Sequence, residues 1–196
     1  MGSSAAILEL FPAPGEWAED DYFEVSDRGR LVEFSDGNIE LLPLPIYFHQ
    51  IIIGRLYKVL DTYVLEHRLG AVSFAPLPVK LRPGKFREPD LIFMARRNRE
   101  RIGKYWGVPD LTVEVISDGG EDHDRRVKRN EYAEAGVSEY WIIDPIAQTL
   151  EVLCLADNTF VQTALLGNTD VLTSQHFPGW SYRMADMFAA PPLEED

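Results

Sequence analysis

The chain has 196 residues, 45% of them hydrophobic, and a formal net charge of -13 at pH 7. That length and apolar content predict one globular domain, and the acidic balance argues against a protein whose whole surface grips a polyanion. There is no run of about 18 apolar residues for a membrane span, no basic, apolar leader of the signal-peptide kind, and a single cysteine, Cys154, which excludes an internal disulfide and points to a reducing cytoplasm.

Residues 1–21 contain Pro12, Pro14 and Gly15 and are expected to form an irregular lead-in. Residues 22–190 read as a single domain, and 191–196 as a frayed acidic tail. Arg30–Phe34 and Asn38–Leu42 are strand-like runs around Ser35-Asp36-Gly37, and Asp-Gly between such runs signals a hairpin. Glu40 lies in the second run. From Ile46 to Leu69 the spacing becomes helical, with His49, Ile53, Leu56, Leu60 and Tyr63 on one face and Gly70 at its end.

Ala71–Phe74, Leu77–Leu81 and Leu91–Ala95 are short strands, and Arg96–Lys104 is a basic loop or helical turn. Leu111–Ile116 is a buried strand by its β-branched, apolar content. Asp118–Gly120 breaks it. A helix follows, with Asp122 or Asp124 as its cap and Gly136 as its close. Ser138–Asp144 is again a strand, which makes Leu111–Ile143 a parallel crossover unit. Thr149–Leu155 and Phe160–Leu165 form a hairpin, with Cys154 a structural thiol in its first strand. Val171–Ser174 is an edge strand and Met184–Phe188 a last helical turn. Strands at both ends and two main helices between predict α/β with a mixed central sheet.

Carboxylates in buried strands are costly without a partner. Glu114 is one, and the tripeptide Pro-Asp-Leu occurs twice, at Asp90 and Asp110. Asp110 shares Glu114's strand, about 13 Å away at roughly 3.3 Å per residue, too far to share one ion. Asp90 can meet Glu114 if their strands pair. Such an oxygen-only pair suits Mg²⁺, Mn²⁺ or Ca²⁺ rather than zinc. Helical spacing puts Asp124, Lys128 and Tyr132 on one face, so Lys128 either reaches the end of the Glu114 strand or forms a surface pair with Asp124. Charge is uneven: Lys80–Arg129 carries 13 basic and 9 acidic residues, net +4, leaving -17 on the remainder.

Pro89-Asp90, Glu114-Val115-Ile116-Ser117, Asp124…Lys128…Tyr132 and the run Gly136–Pro145 (GVSEYWIIDP), with Asp36–Glu40 and His49 upstream, resemble the putative restriction endonuclease family of the PD-(D/E)XK nuclease superfamily. The similarity runs from about Arg30 to Asp186. It implies a restriction-endonuclease-like mixed β-sheet flanked by helices, with an N-terminal β-hairpin. It implies that Asp90, Glu114 and the Val115 carbonyl are metal ligands, that Glu40 is the extra upstream acid, and that His49 lies near the site. The superfamily lysine is missing, since Ile116 stands two residues after Glu114; the resemblance places it at Lys128 on the following helix. The function expected is a Mg²⁺-dependent endonuclease, with Mn²⁺ as substitute, hydrolysing phosphodiester bonds in DNA as a cytoplasmic homodimer. Arg87, Arg96, Arg97, Arg99 and Arg101 are candidate phosphate contacts. The alternative is a non-catalytic nucleic-acid-binding or interaction protein on a nuclease-like scaffold.

Overall fold

The computed structural model describes residues 12–117 and 119–190. The lead-in up to residue 11, Asp118 in the expected break, and the acidic tail 191–196 lie outside the described residues. The first helix among the described residues, α1 (Glu19–Ser26), begins within the expected lead-in. Glu19, Asp20 and Asp21 fill its first turn, where carboxylates meet the positive end of the helix dipole, and Asp21 accepts a hydrogen bond from the Ala18 N–H.

The hairpin forms where Asp-Gly predicts it. Strands β1 (Val32–Ser35) and β2 (Asn38–Leu41) pair antiparallel, and Asp36 and Gly37 both take the positive φ that a two-residue turn requires. Helix α2 (Tyr47–Glu66) buries His49, Ile53, Leu56 and Leu60, together with Ile52 and Val64. It ends earlier than expected. Arg68, with φ 54°, turns the chain, and Gly70 instead opens β3 (Gly70–Phe74). A Cβ on Gly70 would lie 1.9 Å from the Met94 carbonyl oxygen, so close pairing with the next strand selects glycine there.

Strands β4 (Val79–Arg82), β5 (Lys85–Arg87), β6 (Leu91–Ala95) and β7 (Leu111–Val115) follow. Three-residue β5 was not expected, because it is too short for a strand period to register. It pairs with β1 and β4 to complete a four-stranded sheet of order β2-β1-β5-β4. The predicted helix after β7 is composite: a π-helical stretch, His123–Lys128, runs into α3 (Arg129–Ala135). Neither Asp122 nor Asp124 caps it through its side chain. Asp122 pairs with exposed Arg126, and Asp124 turns inward to Lys128. Gly136 closes α3 at φ 90°, as expected.

Strands β8 (Glu139–Asp144), β9 (Thr149–Ala156) and β10 (Thr159–Leu166) extend the main sheet, whose order is β10-β9-β8-β7-β6-β3. Among its pairs β7–β8 is parallel and the others are antiparallel, so the sheet is mixed. Residues of β11 (Val171–Leu172) pair with β12 (Tyr182–Arg183), which leads into α4 (Met184–Phe188). On one sheet face Ile52, Leu56 and Leu60 of α2 and Met184 and Met187 of α4 cover Leu91, Phe93, Val113, Trp141 and Ile143. On the other, Tyr132 and Ala133 of α3 cover Ile92, Met94, Tyr140 and Ile142. Burial on both faces explains why β6 reads as an unbroken apolar run and why β7 and β8 are mostly apolar on both faces. Tyr22 of α1 packs with Val32, Phe34 and Phe86 under the smaller sheet. No described helix is long and apolar enough to cross a membrane.

Candidate active site

The main sheet sets the register of the two principal carboxylates. Leu91 pairs with Val113 across the antiparallel β6–β7 ladder, so Asp90, one step back, arrives beside Glu114, one step on. Asp90 Oδ2 accepts a hydrogen bond from the Val115 N–H at 2.7 Å and lies 3.1 Å from His49 Nε2. An ionised Asp90 can only accept, so Nε2 carries the imidazole proton. The first turn of α2 therefore delivers His49 to the site.

Glu114 is 3% exposed. Its Oε1 accepts from the Tyr132 hydroxyl at 2.6 Å, and its Oε2 lies 3.0 Å from Lys128 Nζ. Lys128 also reaches Asp124 at 3.4 Å and Glu33 at 3.6 Å. Of the two readings of Lys128 left open by helical spacing, a surface pair with Asp124 is replaced by a buried cation shared among three carboxylates. The π-helical stretch is where Asp124 and Lys128 sit, and π-turns recur at functional sites.

The electrostatics follow from burial and crowding. Burial pushes the Glu114 carboxyl well above its ordinary value; the Lys128 ammonium opposes this, while Asp90, Asp124 and Glu33 add to it. Burial alone would lower the Lys128 pKa, yet Glu114, Glu33, Asp124 and Asp90 together hold it well above the usual lysine value. Lys128 thus stays protonated. Four carboxylates face the Lys128 ammonium and only Glu33 among them also pairs with a guanidinium, that of Arg87, so the cluster is short of positive charge. Hard oxygen donors in that state fit a divalent cation. Glu114 accepts one hydrogen bond, from Tyr132, and pairs with Lys128, but has about four lone-pair sites, which leaves acceptor capacity for an ion.

A second acidic layer lies on the hairpin. Glu33 and Glu40 face each other across β1–β2, and both accept from Arg87 Nη1, at 3.0 and 3.2 Å. Arg87 also binds Glu131 of α3 through Nε and Nη2. At 1% exposure with these donors committed, Arg87 is not an outward phosphate contact; it locks the small sheet to α3. Sequence reasoning missed Glu33, which is fully buried. The signal was present, since Val32-Glu33-Phe34 poses the same question as Glu114, a carboxylate inside an apolar strand. Glu33, Glu40 and His123 offer ligand atoms within 4.8 Å of one another, a second group able to hold a metal ion. Buried Glu88 was missed too. Its carboxyl is pushed up to about 7 by burial and then by Glu33.

Glu40, His49, Asp90, Glu114, His123 and Lys128 line a cleft of about 500 Å³. The basic row does not. Asp90 stands at the start of β6 and Arg96 just beyond its end, six residues and about 20 Å away at the usual strand rise. Arg96, Arg97, Arg99 and Arg101 therefore do not surround the carboxylates, contrary to what their closeness in sequence suggested. Arg97 reaches Asp110 at 2.6 Å. Asp110 itself accepts from the Ala95 N–H and from Asn98, pinning the opposite ends of β6 and β7, as its separation from Glu114 predicts.

A model of the Uma2 family, described as putative restriction endonuclease, matches residues 19–186. Among solved structures the chain is similar to the crystal structure of a putative nuclease belonging to DUF820 from Anabaena variabilis ATCC 29413. The TM-score is 0.72 at 17% identity, over 87% of this chain and 96% of that one, a likeness of fold. A comparison with curated proteins finds no match.

Proposed function

Because the chain belongs to the Uma2 family of putative restriction endonucleases, we propose that it is a divalent-metal-dependent endonuclease hydrolysing phosphodiester bonds in DNA. The observation that carries this reading is the approach of Lys128 Nζ to Glu114 Oε2, 3.0 Å, beside Asp90 on the neighbouring strand. The helix supplies the ammonium that Ile116 cannot.

Asp90, Glu114 and the Val115 carbonyl would hold Mg²⁺ or Mn²⁺, with Glu40 at the cleft wall. Bound there, the ion supplies Lewis-acid polarisation of a phosphate oxygen. The remaining roles belong to the chain. The Val115 N–H and His49 fix the Asp90 carboxylate, and Tyr132 fixes Glu114. Lys128, held protonated by its carboxylates, presents positive charge where negative charge grows on the phosphate. Cutting both strands is simplest for a two-fold homodimer, which sedimentation would register as twice the chain mass.

The test is cleavage of plasmid DNA with Mg²⁺ or Mn²⁺ by purified protein. Asp90→Ala and Glu114→Ala should each abolish it, and chelation should stop the wild type. Cutting that survives in both variants would assign the activity to a contaminant. Turnover unchanged in Lys128→Ala would reject the role given to Lys128.

A further inference from the structure

Two of the arginines remote from the cleft, Arg96 and Arg99, line a pocket of their own. A second pocket, of about 530 Å³, lies where the end of α2, the start of β3 and the 3₁₀ turn after β6 converge. Arg68, Arg96 and Arg99 line it, with Leu65, Ala71 and Ile102 among its apolar walls. No ion pair or side-chain hydrogen bond engages these three guanidiniums among the described residues, although Arg82, Arg87, Arg97, Arg125, Arg126 and Arg183 all have carboxylate partners. In a chain of net charge -13, three unengaged cations around one pocket make a local concentration of positive charge.

Arg68 adds a second observation. It takes the left-handed conformation that closes α2, a position glycine occupies with less strain. From there its side chain lines the pocket. One guanidinium there can complement the negative end of the α2 dipole. The carbonyls of Tyr63, Val64 and Leu65 are already taken up by the N–H groups of His67, Leu69 and Arg68, and Arg96 and Arg99 belong to another element. The dipole therefore does not account for the three together.

Leu65 is 63% and Ile102 39% exposed, so the pocket offers an apolar surface rimmed by positive charge. A ligand that matches both is an anion with a flat, weakly polar body. The geometry points to a nucleotide-binding pocket in which Arg68, Arg96 and Arg99 hold a phosphate of a single-stranded nucleic acid while its base lies against Leu65 and Ile102. Guanidinium planes stack on bases as well as binding phosphates, which suits an unpaired strand. This inference rests on the proposed nuclease reading and deepens it: strand leaving the cleft would be gripped about 20 Å away, a distance set by the length of β6.

The test is fluorescence anisotropy of the intact protein with a labelled 20-nucleotide single strand, in chelator, so that binding is read without cleavage. Arg96→Ala/Arg99→Ala should weaken binding about tenfold or more. With the grip on that one phosphate lost, the slope of log affinity against log salt should become shallower by about 0.7. Arg68→Glu should weaken binding in the same direction, with the far-ultraviolet circular dichroism of both variants unchanged. A mononucleotide should compete better than inorganic phosphate. Equal affinity in wild type and the double variant overturns the site. Equal competition by phosphate overturns the base contact, leaving an anion site only. An equal loss for a duplex of the same length overturns the preference for a single strand. Wild type that binds through these arginines yet never cuts would sink the nuclease reading alone; cutting intact with arginine-independent binding would sink this one alone.

Discussion

Lys128 shows what single residues contribute. It is 7% exposed at its side chain and stands among Glu114, Asp124 and Glu33. Removing one member of a buried charged set leaves its partners uncompensated, at a cost of about 3–5 kcal/mol. Lys128→Met should therefore lower the urea midpoint as well as abolish cleavage, and an unchanged midpoint would mean that the cluster takes up protons instead. Glu88 gives a pH prediction. Its carboxyl rises from 4.5 to about 7 in the fold, through burial and then Glu33. A group that binds its proton more tightly when folded favours the folded state below its unfolded value and loses that contribution as pH rises through its folded one. Wild-type stability should thus carry a component that declines between about pH 4.5 and 7, and Glu88→Gln should flatten it in denaturation curves taken across that window. Glu131 has the opposite sign: burial raises its pKa, but hydrogen bonds from Arg87 and Lys85 outweigh this and lower it. Its contribution is present above pH 4.5 and lost on acidification, so Glu131→Gln should reduce the acid sensitivity of the fold.

At the level of elements, α3 and the π-helical stretch before it do two tasks. They cross from β7 to its parallel neighbour β8, and they carry Asp124, Lys128 and Tyr132 to Glu114. Gly136 fixes where this unit ends. Its N–H and that of Val137 both bond the Tyr132 carbonyl, and its φ of 90° is open to glycine at little strain. Gly136→Ala should cost about 1–2 kcal/mol, read as a lowered thermal midpoint, and should disturb Tyr132 before more distant parts. The helical repeat, the closing glycine and the two strands were legible because each is a local pattern. The π-helical register was not, since a repeat of four residues fits both helix types over so short a stretch.

Across the whole molecule, excess negative charge and a carboxylate-lined cleft predict a response to divalent ions. Free Mg²⁺ at about 100 times its dissociation constant would stabilise the fold by about 2.7 kcal/mol if it binds only the folded chain. The thermal midpoint should rise with Mg²⁺ and fall back on chelation, and Asp90→Asn should remove most of the rise. A midpoint indifferent to Mg²⁺ and Mn²⁺ would count against the metal reading. The separation of the basic row from the cleft belongs to this scale too. Arg87 and Arg96 are nine positions apart in sequence, yet one is sealed inside the carboxylate layer and the other is exposed beyond the far end of β6.

The sequence alone determined the mixed α/β architecture, the Asp-Gly hairpin, the α2 face that carries His49, and the separation of Asp110 from Glu114 along one strand. Each rests on strand rise, helical repeat or turn chemistry, which act over a few residues. Only the tertiary structure decided that Asp90 meets Glu114, that Glu33 joins the cluster, that Arg87 is a buried clamp, and that Arg96 and Arg99 face another pocket. Those outcomes depend on β5 pairing with β1 and on which end of β6 each loop occupies. Such pairings are chosen by packing between segments distant in sequence, and no local period records them. Lys128 lies between the two cases: helical spacing put it on the right face, and the fold supplied the three carboxylates that hold its charge.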